Sequence, residues 1–136
     1  MEYKVIKEGN IEKWFDQNDQ LVKEIAYYNN GQKEYKAYFL NGQRHREDGP
    51  SSQRWYKNGQ KHYEFYYLND KRHREDGPAR QYWYENGQKR FEEYWLNGKE
   101  VSKDQVFKET HKTITIKGKE FSEDTIYKAL KDYMNF

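Results

Sequence analysis

From residue 20 to residue 98, short runs of alternating apolar and polar side chains are interrupted by turn signals at a regular spacing. Asn-Gly pairs begin at Asn30, Asn58 and Asn86, which are 28 residues apart. Asn-Gly between apolar runs favours a type I′ hairpin turn, because both central residues of that turn need positive φ. The pattern therefore predicts a strand, a tight turn, a second strand and a longer connection in each unit, with two strands per 28 residues.

The longer connection is itself repeated. The seven residues from Arg44 to Pro50 recur unchanged from Arg72 to Pro78, at the same spacing of 28. A second set of turn signals begins at Asn41, Asn69 and Asn97. Identity over this length, in step with the turns, indicates an array of repeats.

Alternate residues of a strand share a face, so the units predict columns of matching side chains across the sheet. One column is aromatic and is expected to be the hydrophobic spine of the repeat, with base stacking as the alternative; it consists of Tyr35, Tyr63 and Phe91 with Phe39, Tyr67 and Trp95. We assign a second column to the opposite face and consider it the better interface candidate; it consists of Tyr28, Tyr56, Tyr84, Tyr38, Tyr66 and Tyr94.

The predicted fold is mainly β, an antiparallel β-hairpin repeat meander with a small C-terminal strand-and-helix module. Residues 1–19 are expected to form a degenerate N-terminal cap and residues 20–100 the hairpin repeats. In the tail, residues 101–136, Ser102 and Gln105 form a capping box that predicts a helix over Lys103–Glu109. The β-branched run Thr113–Ile116 predicts a strand, and a second helix is expected over Glu123–Tyr133. The tail would either cover an open sheet edge or form a separate docking piece.

Composition changes this picture in one respect. The chain is 34% hydrophobic and 35% charged, values that by themselves suggest disorder. Its 4 Trp, 14 Tyr and 7 Phe argue against disorder. Tyr and Trp bury a large area while keeping a polar tip in water, so a thin, single-layer sheet with a small core is expected.

Several functional classes are disfavoured. Cysteine is absent, which excludes disulfides and cysteine-based metal or catalytic sites and fits a reducing compartment. We find no secretory signal and no apolar run of about 18 residues, so a cytoplasmic protein without a membrane partner is expected. The net charge of +2 is too balanced for a dedicated nucleic-acid binder. No nucleophile–base pattern or phosphate loop is present, so we expect no enzymatic activity, no cofactor and no metal.

Two short motifs carry a family resemblance. Trp55–Gln60 and Trp83–Gln88, together with Tyr38–Gly42 and Tyr94–Gly98, resemble the variant MORN repeat of bacterial and viral proteins. The copied loop resembles a form found in viral and phage repeat proteins. The resemblance covers Gln20–Gly98, and implies a β-hairpin meander that serves as a binding scaffold, in some members as an antitoxin. The shorter spacing of standard MORN repeats is missing, so their lipid-binding roles are not implied.

The copied loops are the sharpest candidate site. Their basic residues could grip acidic side chains or a phosphate of a partner; these residues are Arg44, His45, Arg46, Arg72, His73 and Arg74. Alternatively the loops are structural, since Asp-Gly-Pro is turn chemistry and Arg–Glu pairs can join neighbouring loops. Two histidines on separate loops make a poor zinc site.

Three functional hypotheses follow. The first is a non-enzymatic protein-binding module that occludes a protein target through an aromatic sheet face and the Arg/His loops. The resemblance implies a setting for it, a phage-type inhibitor of a bacterial defence or toxin system (an anti-CRISPR or an antitoxin) in the host cytoplasm. The second is a nucleic-acid binder that stacks bases on the aromatic column beside Lys33, Lys61, Lys89 and Arg90. The third is self-association edge to edge, and the oligomeric state is left open.

Overall fold

A computed structural model describes residues 2–110, 113–116 and 119–122, and shows a mainly β chain. The elements, in chain order, are the strands β1 (Lys4–Glu8), β2 (Ile11–Phe15), β3 (Leu21–Tyr27), β4 (Lys33–Leu40), β5 (Gln43–Arg44), β6 (Ser52–Trp55), β7 (Lys61–Phe65), β8 (Tyr67–Leu68), β9 (Lys71–Arg72), β10 (Arg80–Trp83), β11 (Lys89–Leu96) and β12 (Lys99–Val101), the helix α1 (Lys103–Thr110), and the strands β13 (Thr113–Ile116) and β14 (Lys119–Ser122).

One long antiparallel sheet contains most of these strands. Its order is β1-β2-β3-β4-β6-β7-β10-β11-β12, with β5 attached to β4. Strands β8 and β9 pair with each other, as do β13 and β14. Apart from the short strands that leave this path, each strand pairs with the next along the chain. The predicted antiparallel meander is therefore confirmed.

The strand register repeats from unit to unit. A row of side chains crosses six strands at equivalent positions; it consists of Ala26, Tyr35, Arg54, Tyr63, Tyr82 and Phe91. We call the face that carries this row, with Phe65 and Arg80, the front face. The other face, the back face, carries Tyr38, Tyr66, Tyr94 and the row Lys36, Gln53, Glu64 and Gln81.

The turns that begin at Asn30, Asn58 and Asn86 are not the predicted type I′ turns. Only the glycines have positive φ there, 86° at Gly31, and the asparagines do not. The Gly31 N–H donates to the Tyr28 carbonyl and the Tyr28 N–H donates to the Gln32 carbonyl, at 3.0 and 2.8 Å. This is the hydrogen bonding of a three-residue hairpin loop that ends in a glycine bulge. The Asn30 side chain accepts from the Gln32 N–H at 2.9 Å and so stabilises this alternative.

Positive φ at both central residues is found instead at the second set of turns. The φ angles are 52° and 76° at Asn41 and Gly42, and 49° and 65° at Asn69 and Asp70. Each of these turns leads into a short third strand, β5, β9 or β12. The prediction of two strands per unit was therefore incomplete, because the second turn also closes a hairpin.

Side chains near the three-residue loops join each unit to the next. The Tyr28 hydroxyl donates to the Trp55 carbonyl at 2.7 Å, and the Tyr56 hydroxyl donates to the Trp83 carbonyl at 2.8 Å. The Asn30 and Asn58 amides donate in the same way to the carbonyls of Lys57 and Glu85. Tyr84 is the third copy of this tyrosine; it is 50% exposed, and the described residues give its hydroxyl no acceptor.

The core is small, as composition predicts. The buried hydrophobic side chains of the described residues number six and are scattered along the sheet: Ile25, Ala26, Tyr67, Ala79, Leu96 and Val106. Hydrophobic area is thus buried in separate patches, and cross-strand contacts supply the remaining stabilisation of the sheet.

The ends of the chain follow the predicted elements as far as they are described. The first 19 residues contain the β1–β2 hairpin, which turns at Gly9 and Asn10. The capping box of α1 is confirmed, since Ser102 and Gln105 exchange hydrogen bonds at 3.0 and 3.1 Å. Strand β13 has its predicted bounds, and the helix predicted over residues 123–133 lies outside the described residues.

Helix α1 lies against β11, and its Val106 is 1% exposed. Burial works to raise the pKa of Glu92, but hydrogen bonds from Lys89 and Tyr94 and the nearby charge of Lys103 lower it. Glu92 belongs to the back face, so α1 starts on that side of the sheet.

No helix among the described residues has the length and apolar character that a membrane crossing needs.

We predict that Tyr56→Phe lowers the free energy of unfolding by about 1 kcal/mol, because the Trp83 carbonyl loses its hydrogen bond. Tyr84→Phe is the matched control: the described residues provide no acceptor there, and its effect should stay within about 0.5 kcal/mol. Urea denaturation of both variants measures the difference. Equal effects would contradict the assignment of Tyr56 as a link between units.

Candidate functional site

The first arginine of each copied loop contacts the following unit. The Arg44 guanidinium lies 4.2 Å from the centre of the Tyr67 ring and pairs with Asp70 at 3.2 Å. The Arg72 guanidinium lies 4.6 Å from the Trp95 ring in the equivalent position. An arginine over an aromatic ring is a favourable cation–π contact. Both side chains therefore act in holding successive units together.

The two loop histidines accept hydrogen bonds from the next hairpin turn. Nδ1 of His45 accepts from the Asn69 N–H, and Nδ1 of His73 accepts from the Asn97 N–H, each at 2.9 Å. The side chains are 12% and 10% exposed. Since a tight turn leaves its first N–H groups without strand partners, these histidines stabilise the second set of turns.

The second arginine of each loop is held on the back face. Arg46 lies 4.2 Å from the Tyr38 ring, and Arg74 lies 4.1 Å from the Tyr66 ring. Arg46 donates to Asp48 at 2.9 Å and to the Pro50 carbonyl at 3.2 Å, and Arg74 makes the same two bonds. A Cβ at Gly49 would approach the Arg46 guanidinium carbon to 3.0 Å, so a larger residue there would push the guanidinium aside by a few tenths of an ångström.

On these loops the carboxylates face solvent far more than Arg46 and Arg74 do. Glu47 and Asp48 are 84% and 86% exposed, and Asp76 is 81% exposed. The hydrogen bond and charge of Arg46 lower the pKa of Asp48, which keeps this carboxylate ionised. A cavity of about 590 Å³ lies between the two loops, and its wall includes Arg46, Arg74 and these three carboxylates. The geometry favours the structural interpretation of the loops over a grip on acidic or phosphate groups.

The six tyrosines assigned to one column lie on opposite faces. Ala26 pairs with Tyr35 and Lys23 pairs with Tyr38, so Tyr28 shares the front face with Tyr35. Tyr56 likewise stacks on His62 at 4.3 Å, beside Tyr63. The single column of Tyr28, Tyr56, Tyr84, Tyr38, Tyr66 and Tyr94 was therefore wrong. Alternation shows which residues within one strand share a face. Which residues of the next strand lie on that same face depends on the pairing register across the turn.

The front face carries a continuous group of four rings, which we call the aromatic cluster: Tyr63, Phe65, Tyr82 and Phe91. Tyr63 stacks on Phe65 at 4.2 Å, and Tyr82 stacks on Phe91 at 4.4 Å. Phe65 and Tyr82 join the two stacks at 5.3 Å. Three of the rings are half-buried, and Phe91 is 38% exposed. The cluster is thus a coherent aromatic surface that solvent reaches.

Arg80 fixes the middle of the cluster. Its guanidinium lies 5.0 Å from the Phe65 ring, donates to the Tyr82 hydroxyl at 2.7 Å and pairs with Glu93 at 3.1 Å. Neither Arg80 nor Tyr82 is among the site residues predicted from the sequence. Both precede the third turn at alternate positions from Tyr84, and the cross-strand register would have placed them beside Phe65 and Phe91.

The lysines that were considered for nucleic-acid binding lie away from the cluster. Lys61 opposes Trp55 across the hairpin and lies 5.4 Å from the Trp83 ring, on the back face. Lys33 approaches Trp55 and Lys89 approaches Trp83 in the same manner. Of the four basic residues, Arg90 alone is placed beside the cluster, 5.8 Å from Phe91. The expected combination of base-stacking rings and flanking lysines is therefore divided between the faces.

Titratable groups on the front face are perturbed by burial. The pKa of His62 is lowered because burial disfavours its charged form, and Arg54 and Arg90 add repulsion. Burial, together with a hydrogen bond to Glu24, raises the pKa of Tyr35 to about 12. Within the described residues, no group of three or more His, Asp and Glu side chains is arranged to hold a metal ion.

No known protein family, curated protein or solved structure matches this chain.

We expect His45→Ala and His73→Ala each to lower the free energy of unfolding by about 1 kcal/mol, because a turn N–H loses its acceptor. Glu47→Gln on the same loop is the control, and should change stability by less than about 0.5 kcal/mol because exposed ion pairs contribute little. Chemical denaturation at neutral pH measures all three. If Glu47→Gln is as damaging as the histidine changes, the contact to the turn is not the cause.

A pH dependence follows from Tyr35. The folded state keeps the Tyr35 proton at pH values where the unfolded chain, with a pKa of about 10, releases it. The free energy of unfolding should therefore fall as the pH rises from about 10 to about 12. Tyr35→Phe should make this decline shallower, although Tyr63, Tyr66 and Tyr94 also have raised pKa values and contribute to it. An unchanged slope in the variant would refute the assignment.

Proposed function

We propose that this chain is a non-enzymatic protein-binding module that engages a protein target through the aromatic cluster of its front face. One observation carries the proposal: two stacked pairs of rings, joined edge to face, form a continuous surface on a single-layer sheet, and none of the four rings is fully buried. Aromatic residues and arginine are enriched at the centres of protein interfaces, where they supply most of the binding energy.

The surroundings of the cluster suit such an interface. Tyr84 and Phe91 are the most accessible rings at its edge, at 50% and 38% exposure. Arg80 and Arg90 present guanidinium groups among the rings, and Arg54 is paired with Glu34 nearby. An aromatic centre with a polar, partly paired rim is the usual composition of a specific protein interface.

The copied loops take a supporting role in this proposal. Their arginines and histidines are engaged with Tyr38, Tyr66, Tyr67, Trp95 and the next turns, which leaves the aromatic cluster as the better contact surface. The setting that we propose is occlusion of a bacterial defence or toxin component by a small phage-type inhibitor. It is supported by the resemblance of the Trp-Tyr-x-Asn-Gly-Gln motifs and of the copied loop to repeats of phage and antitoxin proteins.

Site-specific photo-crosslinking tests the surface and the class of partner together. A benzophenone amino acid replaces Phe91 on the front face, and in a second variant replaces the adjacent Glu92 on the back face, in the cells that naturally make the protein. A discrete protein adduct that forms from position 91 and is absent or weaker from position 92 is the expected result. An adduct with nucleic acid from position 91, or protein adducts of equal yield from both positions, would overturn the proposal.

Once the crosslinked protein is identified, Phe91→Ala should weaken its binding by about tenfold or more, the usual cost of losing an aromatic residue from an interface centre. Leu40→Ala is the matched control, since Leu40 is similarly exposed, at 45%, and lies outside the cluster. Isothermal titration calorimetry on the purified proteins gives both affinities. Equal affinities of the two variants would exclude the aromatic cluster as the binding surface.

A further inference from the structure

Strand β1 forms an outer edge of the long sheet. Within the described part of the chain it has one neighbouring strand, β2. Three of the large hydrophobic side chains that remain exposed belong to this hairpin or the residue before it; they are Tyr3 at 46%, Val5 at 39% and Ile11 at 38%. An outer strand with exposed apolar side chains is a surface on which another strand can pair.

The β1–β2 turn decides which main-chain groups face outward. Gly9 and Asn10 form a two-residue turn, with Gly9 at φ 58° and Glu8 opposite Ile11. The residues that close a two-residue hairpin exchange hydrogen bonds, and the pattern then alternates along the strand. Lys4, Ile6 and Glu8 therefore bond to β2, while the N–H and C=O groups of Val5 and Lys7 point away from the sheet.

The sequence of β1 is complementary to itself in one antiparallel register. The outward-facing residues of one copy can form main-chain hydrogen bonds only with the outward-facing residues of the other copy. Because these residues alternate along the strand, the two-fold axis that relates the copies passes beside a residue and not between two residues. An axis beside Lys4, Lys7 or Glu8 places that charged residue against its own copy. An axis beside Val5 places Glu2 against Glu8. An axis beside Ile6 places Lys4 opposite Glu8 twice, and this register opposes no like charges.

We propose that two copies of this chain pair through β1, antiparallel and centred on Ile6. The two Ile6 side chains then meet on the front face between the two Lys4–Glu8 pairs, and Val5 of each copy lies opposite Lys7 of the other. Opposite charges and apolar side chains at directly opposed positions stabilise a strand pair. The interface is isologous and closed, because the pairing uses the outer edge of both copies.

Lys4 and Glu8 are suitable for a test because they are exposed and make no ion pair within the described chain. Exchanging their charges therefore alters the proposed interface without removing a contact inside one copy. Lys4→Glu creates a strand with two glutamates at these positions, and Glu8→Lys creates a strand with two lysines. Each variant repels itself in the proposed register, whereas the two variants complement each other.

Sedimentation velocity over a range of concentrations at low salt tests the proposal. We expect wild type to dimerise reversibly, and each single variant to dimerise about tenfold more weakly, since opposed like charges destabilise a strand pair. An equimolar mixture of the two variants should recover the wild-type dimer, as should the double variant Lys4→Glu/Glu8→Lys. Circular dichroism of each variant confirms that the sheet is intact.

Three results would overturn the inference. The first is a wild-type protein that stays monomeric at all concentrations, which would leave β1 unpaired or open to a different protein. The second is a dimer that both single variants retain at wild-type strength, which would place the contact elsewhere. A dimer that is lost in the single variants and not recovered in their mixture would likewise exclude the register centred on Ile6.

Discussion

The structure depends on polar groups of one repeat unit that satisfy the main chain of the next. A single-layer sheet has no second layer to hold its strands in place, and its buried hydrophobic side chains are few and dispersed. At one end of the strands, Tyr28 and Tyr56 donate to carbonyls of the following unit. At the opposite end of the strands, His45 and His73 accept from turn N–H groups. Unpaired main-chain groups are costly, so these paired contacts fix both the spacing and the register of the units.

The two faces of the sheet handle their aromatic side chains differently. On the back face, Arg46 and Arg74 fold over Tyr38 and Tyr66, and the loops that carry them cover part of that side. On the front face the rings of the aromatic cluster pack on one another, and Arg80 lies among them. The back face is therefore largely completed by the chain itself, while the front face retains an aromatic surface that a partner can cover.

The sequence was sufficient for the parts of the fold that depend on local chemistry. The repeat length, the hairpin positions, the capping box at Ser102 and the strand at Thr113–Ile116 follow from turn residues, spacing and β-branching. The exact turn type did not follow, because Asn30 can either adopt positive φ or use its side chain to stabilise a longer loop. The structure shows the second alternative.

The candidate site was predictable only in part for a different reason. Tyr63 and Phe91 were placed in one aromatic column, and the structure keeps them on one face. The relation between neighbouring strands was not predictable from alternation alone, and so Tyr28 and Tyr38 were grouped although they face opposite ways. The roles of Arg44 and Arg46 depend on loop conformation, which brings each guanidinium onto a ring that is distant in sequence or on the previous strand.

The third unit ends with the same donors that join the first two units to their successors. Tyr84 and Asn86 occupy the positions of Tyr56 and Asn58, and the described residues offer their donor groups no acceptor. Nothing in the chemistry of a single unit limits how many can follow one another, and the array stops where the copied loop is replaced by β12 and α1. Duplication or loss of one 28-residue block would therefore lengthen or shorten the ribbon without requiring new contacts, and would change the area of the front face in fixed steps.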